Sequence, residues 1–425
     1  MPKRRLFIDL TPLRRFPQFR LLWFGLLIRT VGNQLTVVAV PYQIYRLTHS
    51  SLDVGLVSIS QLGPLFIGSL IGGNLADSFD KRRLLIATQL LLASTSVGLA
   101  LNSSGHASIW PLFVCSSFQA GFSGIDSPTT TSLSVRIVDR ETLVAANALW
   151  QMLFNVGQVA GPAVAGLLLI KLSIGSVYWI DVATFGASLV AVLVMRIERE
   201  VATGVRQALN FTQMLVGFRY LKKNHPLQGI FLADLDAMVL GWPRALFPAM
   251  GIVRFHGGAG AVGLLYAAPG MGALVGALVT GWVSRVRHAG RAVLINVAGW
   301  GIAITLFGLV HSLTLALILL GIAGAFDVFS AVFRGAILQL KTPRDILGRM
   351  QGVQISVVTG GPRLGDLEHG AVGSIFGSQF AVVSGGIACV AGVLVLARFL
   401  PGFTKLVVGH ETGDGTPGAI EHTTS

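Results

Sequence analysis

Apolar runs of bilayer-spanning length recur along nearly the whole chain, separated by short charged or Gly/Ser/Asn-rich breaks. Crossing a bilayer takes roughly 20 mostly apolar residues. Runs of that size lie near residues 20–46, 52–76, 84–103, 108–134, 142–170 and 175–196, and again near 227–252, 261–284, 292–310, 313–337, 347–376 and 379–399. The pattern predicts an all-α integral membrane protein with twelve transmembrane helices. Ile197 to Pro226 interrupts the series with Arg199, Glu200, Arg206, Arg219, Lys222 and Lys223. Its stretch from Phe211 to Tyr220 spaces apolar residues as a surface-lying helix would. The expected organisation is a six-helix bundle over 1–196, a linker over 197–226, a second six-helix bundle over 227–400 and a tail over 401–425.

Composition agrees. The chain of 425 residues is 52% hydrophobic and only 12% charged, too little polar material to cover a soluble globule of that size. Its 52 Gly suit membrane helices whose backbones approach closely, and prolines inside apolar runs, such as Pro64, Pro162 and Pro269, are tolerated there. A net charge of +13 would suggest nucleic acid in a soluble protein, but here the charges sit in loops, so no nucleic-acid partner is implied. Cys115 and Cys389 lie in apolar runs and read as small packing residues. The basic arm from Met1 to Arg20 has no cleavage signature, and the run after it is too long for a signal-peptide core.

Positive loops stay cytoplasmic. Placing both termini inside puts 25 of the 32 Lys and Arg on one side; only Arg46, Lys171 and Arg254 fall opposite, and four lie within helices. The two halves also echo each other. Gly73-Asn-Leu-Ala-Asp77 recurs 208 residues later as Gly281-Trp-Val-Ser-Arg285, and Arg140-Glu141-Thr-Leu143 recurs as Arg344-Asp345-Ile-Leu347. Duplicated halves that rock about a midplane site are an architecture of secondary transporters.

At this point the sequence resembles the major facilitator superfamily, from Phe19 to Leu400. The resemblance rests on the loop Gly73-Asn-Leu-Ala-Asp77-Ser-Phe-Asp80-Lys81-Arg82-Arg83, with Asp80 where the family places a second Gly, and on Gly157-Gln-Val-Ala-Gly161-Pro162-Ala-Val-Ala-Gly166, similar to the family's antiporter signature. A closer resemblance, to enterobactin exporters and the macrolide-efflux-like branch, is carried by Val38-Ala-Val-Pro41-Tyr-Gln43, Gly263-Leu-Leu-Tyr266, Leu338-Gln339-Leu-Lys-Thr342-Pro343 and Leu347-Gly348-Arg349. The resemblance implies a cytoplasmic-membrane exporter of an amphiphilic small molecule, a siderophore or a drug, driven by protons and acting as a monomer. It implies no cofactor and no metal.

Two motifs have roles to test. Gly73, Asp77, Lys81, Arg82 and Arg83 read either as a topogenic basic loop or as a charged latch, with Asp77 paired in the outward-facing state alone. Gly157, Gly161, Pro162 and Gly166 read as a close-packing face and as the sliding face of a rocking helix, and a bulky residue at Gly161 is expected to block turnover.

Ionisable groups within a bilayer are expensive, so each is a functional candidate. The first half offers Arg29, Asp126 and Asp181. Arg29, with Asn33 and Gln34 a turn further on, reads as a cavity stripe or as half of a buried ion pair. The second half offers Asp234, Asp236, Arg244, Asp327 and Arg334, then Arg363, Asp366, Glu368 and His369 in helix eleven. Asp181 and Arg334 are expected near the membrane faces in structural roles. Arg363, Asp366 and His369 are spaced to share a face, with Glu368 pointing elsewhere. They read as a register-setting ion pair or as a proton-handling site, with Asp126 and Asp234 as alternatives for the coupling group.

No metal-spaced His pair, nucleophile motif or phosphate-binding loop occurs, so the chain does not read as an enzyme. A proton-coupled importer and a non-transporting ligand sensor are the competing functions.

Overall fold

The computed structural model describes residues 9–196, 219–222, 224–343 and 346–407. Among the described residues, twelve principal helical segments follow one another. The first six are α1 (Pro17–Thr48), α2 (Ser51–Ser78), α3 (Lys81–Ser104), α4 (Ile109–Ile137), α5 (Leu143–Lys171) and α6 (Ile174–Val194). The second six are α7 (His225–Leu240), α8 (Gly258–Leu278), α9 (Ala289–Leu309), α10 (Leu313–Lys341), α11 (Leu347–Phe376) and α12 (Ser378–Phe399). Nine of the helices among the described residues are long and apolar enough to cross a membrane. Each of α4, α7 and α11, which fall outside the nine, carries ionisable residues mid-segment, and these helices supply much of the site described below.

Local chemistry sets the helix limits. Ser50, Asp80, Ser173 and Asn224 each accept a hydrogen bond from a backbone N–H three residues on, capping α2, α3, α6 and α7. Asp80 therefore replaces the second Gly of the loop signature with an N-cap. The turn between α11 and α12 is Gly377, whose φ of 88° a side chain would resist. Two helices break at proline. Pro64 removes the N–H that would have bonded Ser60, and the freed Ser60 carbonyl takes the Ser117 hydroxyl from α4 at 3.2 Å.

The second break corrects the continuous helix expected over 227–252. The chain leaves helix at Gly241, and Pro243 cannot continue it. A short 3₁₀ turn (Arg244–Leu246), one turn of α-helix and a π-helical segment (Met250–Arg254) follow. Trp300 of α9 donates to the buried Gly241 carbonyl at 2.8 Å, satisfying the group that the break frees.

α1–α6 pack among themselves, as do α7–α12. Outward faces carry Leu167, Leu278, Ile375 and Phe399, each at least 60% exposed, which only a hydrocarbon surrounding accommodates. The second half extends past its expected end: the turn Pro401–Thr404 buries Phe403 completely, against Gly229 and Gly290. Most of the predicted linker helix at 211–220, the tail beyond Val407, and the Arg344-Asp345 member of the second sequence echo lie outside the described residues.

Helix direction alternates, so the bundle has an end that carries the termini and a far end. At the far end the halves meet without side chains between them. A Cβ on Gly55 of α2 would lie 2.5 Å from the Asp366 carbonyl of α11, one on Gly370 2.6 Å from the Ser51 carbonyl, and one on Gly166 of α5 2.8 Å from the Gly263 Cα of α8. At the terminus end α2 and α4 stand apart from α11 across a cleft of about 920 Å³. The structure is closed at one end and open at the other.

Candidate functional site

Between the halves lies a central cavity of two lobes, about 520 and 590 Å³, which share Gln34, Phe154, Gln158, Trp242, Arg244 and Asp327. One lobe is aromatic. Trp242 and Trp300 stack with centroids 5.0 Å apart and planes within 9°, and Phe247 meets Tyr266 edge-on. The other lobe is charged, but only on one wall: the lining residues from α1–α6 include amides and hydroxyls and no charge, whereas α7, α10 and α11 contribute Asp234, Asp327, Arg334 and Arg363, with Arg244 from the break after α7.

Ion pairs organise that wall. Arg334 lies 3.0 Å from Asp234 and 3.5 Å from Asp327, joining α10 to α7. Arg244 lies 3.2 Å from the Asp366 carboxylate, and Ser58 of α2 donates to the same oxygen at 2.7 Å. Asp366 thus ties the two halves together just below the far-end seal.

Helix eleven therefore differs from expectation. The cation beside Asp366 is Arg244, delivered by the break after α7, and not Arg363. Arg363 turns instead to its own helix, donating to the Thr359 carbonyl at 2.7 Å. His369 is buried away from the cavity, 3.1 Å from the Gly365 carbonyl and against Gly385 of α12. The Glu368 carboxylate reaches His369 Nδ1 at 2.7 Å.

The stripe on α1 splits. Gln34 lines both lobes and donates to Gln158 at 2.8 Å, while Asn33 is absent from the lining. Arg29 pairs with Asp126 of α4 at 2.7 Å, where Thr88 of α3 also donates, so this pair sits inside the first half, behind the cavity wall. Asp236 faces α12 at Gly392 and is likewise outside the lining. Asp181, expected near a membrane face, is fully buried and accepts from Thr36 and Ser96 at 2.7 and 2.8 Å. Arg334, expected in the same setting, is part of the cavity wall.

The two motifs divide as well. A Cβ on Gly161 would collide with Gln34 in the same half, whereas the atoms nearest Gly166 all belong to α8. Arg82 donates to the Val192 and Leu193 carbonyls at the C-terminus of α6, at 3.1 and 2.5 Å, a favourable end for a cation. Arg83 is exposed. Asp77 is exposed and makes no ion pair or hydrogen bond among the described residues. Gly73 faces open space; its neighbour Gly72 is the residue pressed against α4.

Two halves of six helices about a polar cavity, one end shut and the other open, make this a multi-pass membrane transporter of the major facilitator fold. The family described as transmembrane secretion effector matches residues 8–406, and the chain belongs to it. Among curated relatives, the enterobactin exporter EntS of Salmonella choleraesuis (strain SC-B67) is 28% identical over 93% of this chain and 95% of its own length. That of Citrobacter koseri is 27% identical over 98% and 100%. Similar folds occur in the nucleoside transporter NupG (TM-score 0.69, 14% identity, 91% of this chain and 99% of that one) and in a bacterial homolog of the human lysosomal transporter Spinster captured inward-facing and unoccupied (0.68, 15%, 92% and 96%). The relatives are transporters, not enzymes.

Reading ionisable residues one helix at a time missed Arg244, Asp327 and Arg334 as members of one wall, and passed over Ser58 entirely. One signal was available: Gly241-Trp-Pro-Arg244 is a Gly/Pro interruption of an apolar run, which in transporters marks the binding region.

Proposed function

We propose that this chain exports an amphiphilic small molecule, a siderophore or a drug, across the cytoplasmic membrane by alternating access coupled to inward proton flow. The observation that carries this reading is the asymmetric central cavity, sealed at the far end through backbone contacts and open between α2, α4 and α11 at the terminus end. With both termini cytoplasmic, as the Lys and Arg distribution favours, the open end faces the cytoplasm, and the conformation is the one that loads an exported substrate. Support for the outward direction comes from exporters matched along nearly their whole length. Aromatic and amide surfaces beside a charged wall suit an amphiphile.

Metabolite profiling of medium from cells with and without the protein tests the reading. Loss of a secreted amphiphile in the deletion strain, with its accumulation inside, is the expected result; a compound that instead fails to enter the deletion strain would reverse the direction.

In this scheme the first half comprises residues 1–196 and the second 227–400, with 197–226 between them. Asp77 is the latch. Its lack of a partner here fits a pair that forms only when the terminus end closes, because an interaction made in one state biases the equilibrium toward it. Asp77→Asn should leave the protein in the membrane but reduce transport about tenfold, since it removes a charge with little change of shape. Unchanged transport in membrane vesicles containing this variant would return the loop to a purely topogenic role.

A further inference from the structure

We propose that one face of α11 is a track for an anionic amphiphile, with Arg349 receiving the anionic group at the cleft mouth and Arg363 holding it in the cavity. The inference rests on the transport reading above and names the substrate class of the same cavity.

The track is a matter of helical spacing. Arg349, Gly352, Ser356, Thr359 and Arg363 are separated by three, four, three and four residues, which puts them on one face. Fourteen residues of helix carry that face about 21 Å. The first four of these residues line the cleft at the terminus end, and Thr359 and Arg363 line the charged lobe. Thr359 lines both spaces and so stands at the boundary between cleft and cavity. Arg363 donates to the Thr359 carbonyl and stands at the junction.

Charge pairing selects the sign of the ligand. Asp234, Asp327 and Asp366 each lie within 3.5 Å of a guanidinium, and Arg244 and Arg334 are the cations they use. Arg363 and Arg349 have no carboxylate within 4.0 Å among the described residues, and the Nε of Arg363 is buried without an acceptor. An unpaired guanidinium in a bilayer is costly, and an anion in the cavity would remove that cost. Trp242 adds a second buried donor, its indole N–H, that has no acceptor. The cavity thus holds donors awaiting an acceptor, while Asp234 and Asp327 on its wall each have the Arg334 guanidinium beside them. Leu65, Phe66, Leu70 and Ile355 on the cleft walls, with the Trp242–Trp300 stack inside, offer apolar surface to the rest of the molecule.

Tetraphenylborate and tetraphenylphosphonium have the same shape and opposite charge, and serve as probes. Their binding to the purified full-length chain in nanodiscs is read by tryptophan fluorescence, with empty nanodiscs subtracted. The wild type should bind the borate at least about tenfold more tightly, the order expected of a charge-assisted contact. R363Q should erase that preference while R363K keeps most of it. R349Q should keep the equilibrium preference but slow borate association several-fold and weaken its salt dependence, as loss of a steering charge does. Should R363Q not fold, the wild-type preference and the behaviour of R363K decide between the outcomes.

Equal binding of the two ions, tighter binding of the phosphonium, or an undiminished preference in folded R363Q overturns the proposal and leaves the transport reading standing. Binding of neither ion, together with no secreted compound in the profiling experiment, overturns both.

Discussion

Gly166→Leu should insert and fold, and should lose transport by about a hundredfold. In the far-end-closed structure the three atoms nearest a Cβ at this position are all from α8, the Gly263 Cα at 2.8 Å first among them. Backbone cannot rotate out of the way as a side chain can, and overpacking of this kind costs ~1–3 kcal/mol or more. A bias of about 3 kcal/mol against one of two states shifts the ratio of the two by roughly 150-fold. None of those nearest atoms belongs to its own half, so the bundle of α1–α6 is expected to form around the leucine. Gly161→Leu supplies the contrast. Its Cβ would meet Gln34 of α1, so it should lower the amount of folded protein instead of blocking the cycle. Turnover measured per folded molecule separates the two, and normal turnover in Gly166→Leu would mean that this contact does not gate the cycle.

Asp366→Asn should abolish export driven by a pH gradient while ligand binding stays within about threefold of wild type. One carboxylate oxygen of Asp366 takes the Ser58 hydroxyl from the other half at 2.7 Å and the Arg244 guanidinium at 3.2 Å, and the residue is 1% exposed. Protonation would remove the charge that both donors share, loosening the tie between the halves near the far-end seal. Asparagine fixes the neutral state and leaves nothing to load or release. Ligand contacts survive, because Asp366 is not among the residues lining either lobe. Flux measured in proteoliposomes with and without an imposed gradient reads the coupling. Export that still follows the gradient in both Asp366→Asn and Glu368→Gln would place the coupling group elsewhere.

Helix limits were legible in the sequence because capping is local. Ser50, Asp80, Ser173 and Asn224 sit where the apolar runs begin, and ten of the twelve expected helices need only end corrections. The exceptions are the stretch at 52–76, interrupted before Pro64, and the stretch at 227–252, where apolar content continued through Gly241 and Pro243 and outweighed the break that those residues impose. Pairing in the site was much less legible. Spacing of three residues suggested Arg363 with Asp366, but the cation that reaches Asp366 comes from 122 positions away and its hydroxyl donor from 308. Neither separation leaves a trace in local periodicity. The glycine motif shows the same limit. Its spacing announced a close-packed face, yet only the fold reveals that Gly161 packs within a half and Gly166 across the interface.

The rocking of two halves about the cavity is tested most directly by distances at its two ends. Spin labels at Ser69 and Ser356 would flank the terminus-end cleft, and labels at Lys171 and His256 the far end; their separations are measured by pulsed electron resonance in proteoliposomes, with and without an inward proton gradient and an exported amphiphile. The account predicts reciprocal change: under turnover a population appears in which the Ser69–Ser356 distance shortens and the Lys171–His256 distance lengthens, and Gly166→Leu displays that population at rest. Distances that stay fixed under turnover, or that lengthen together at both ends, would contradict alternating access by this chain.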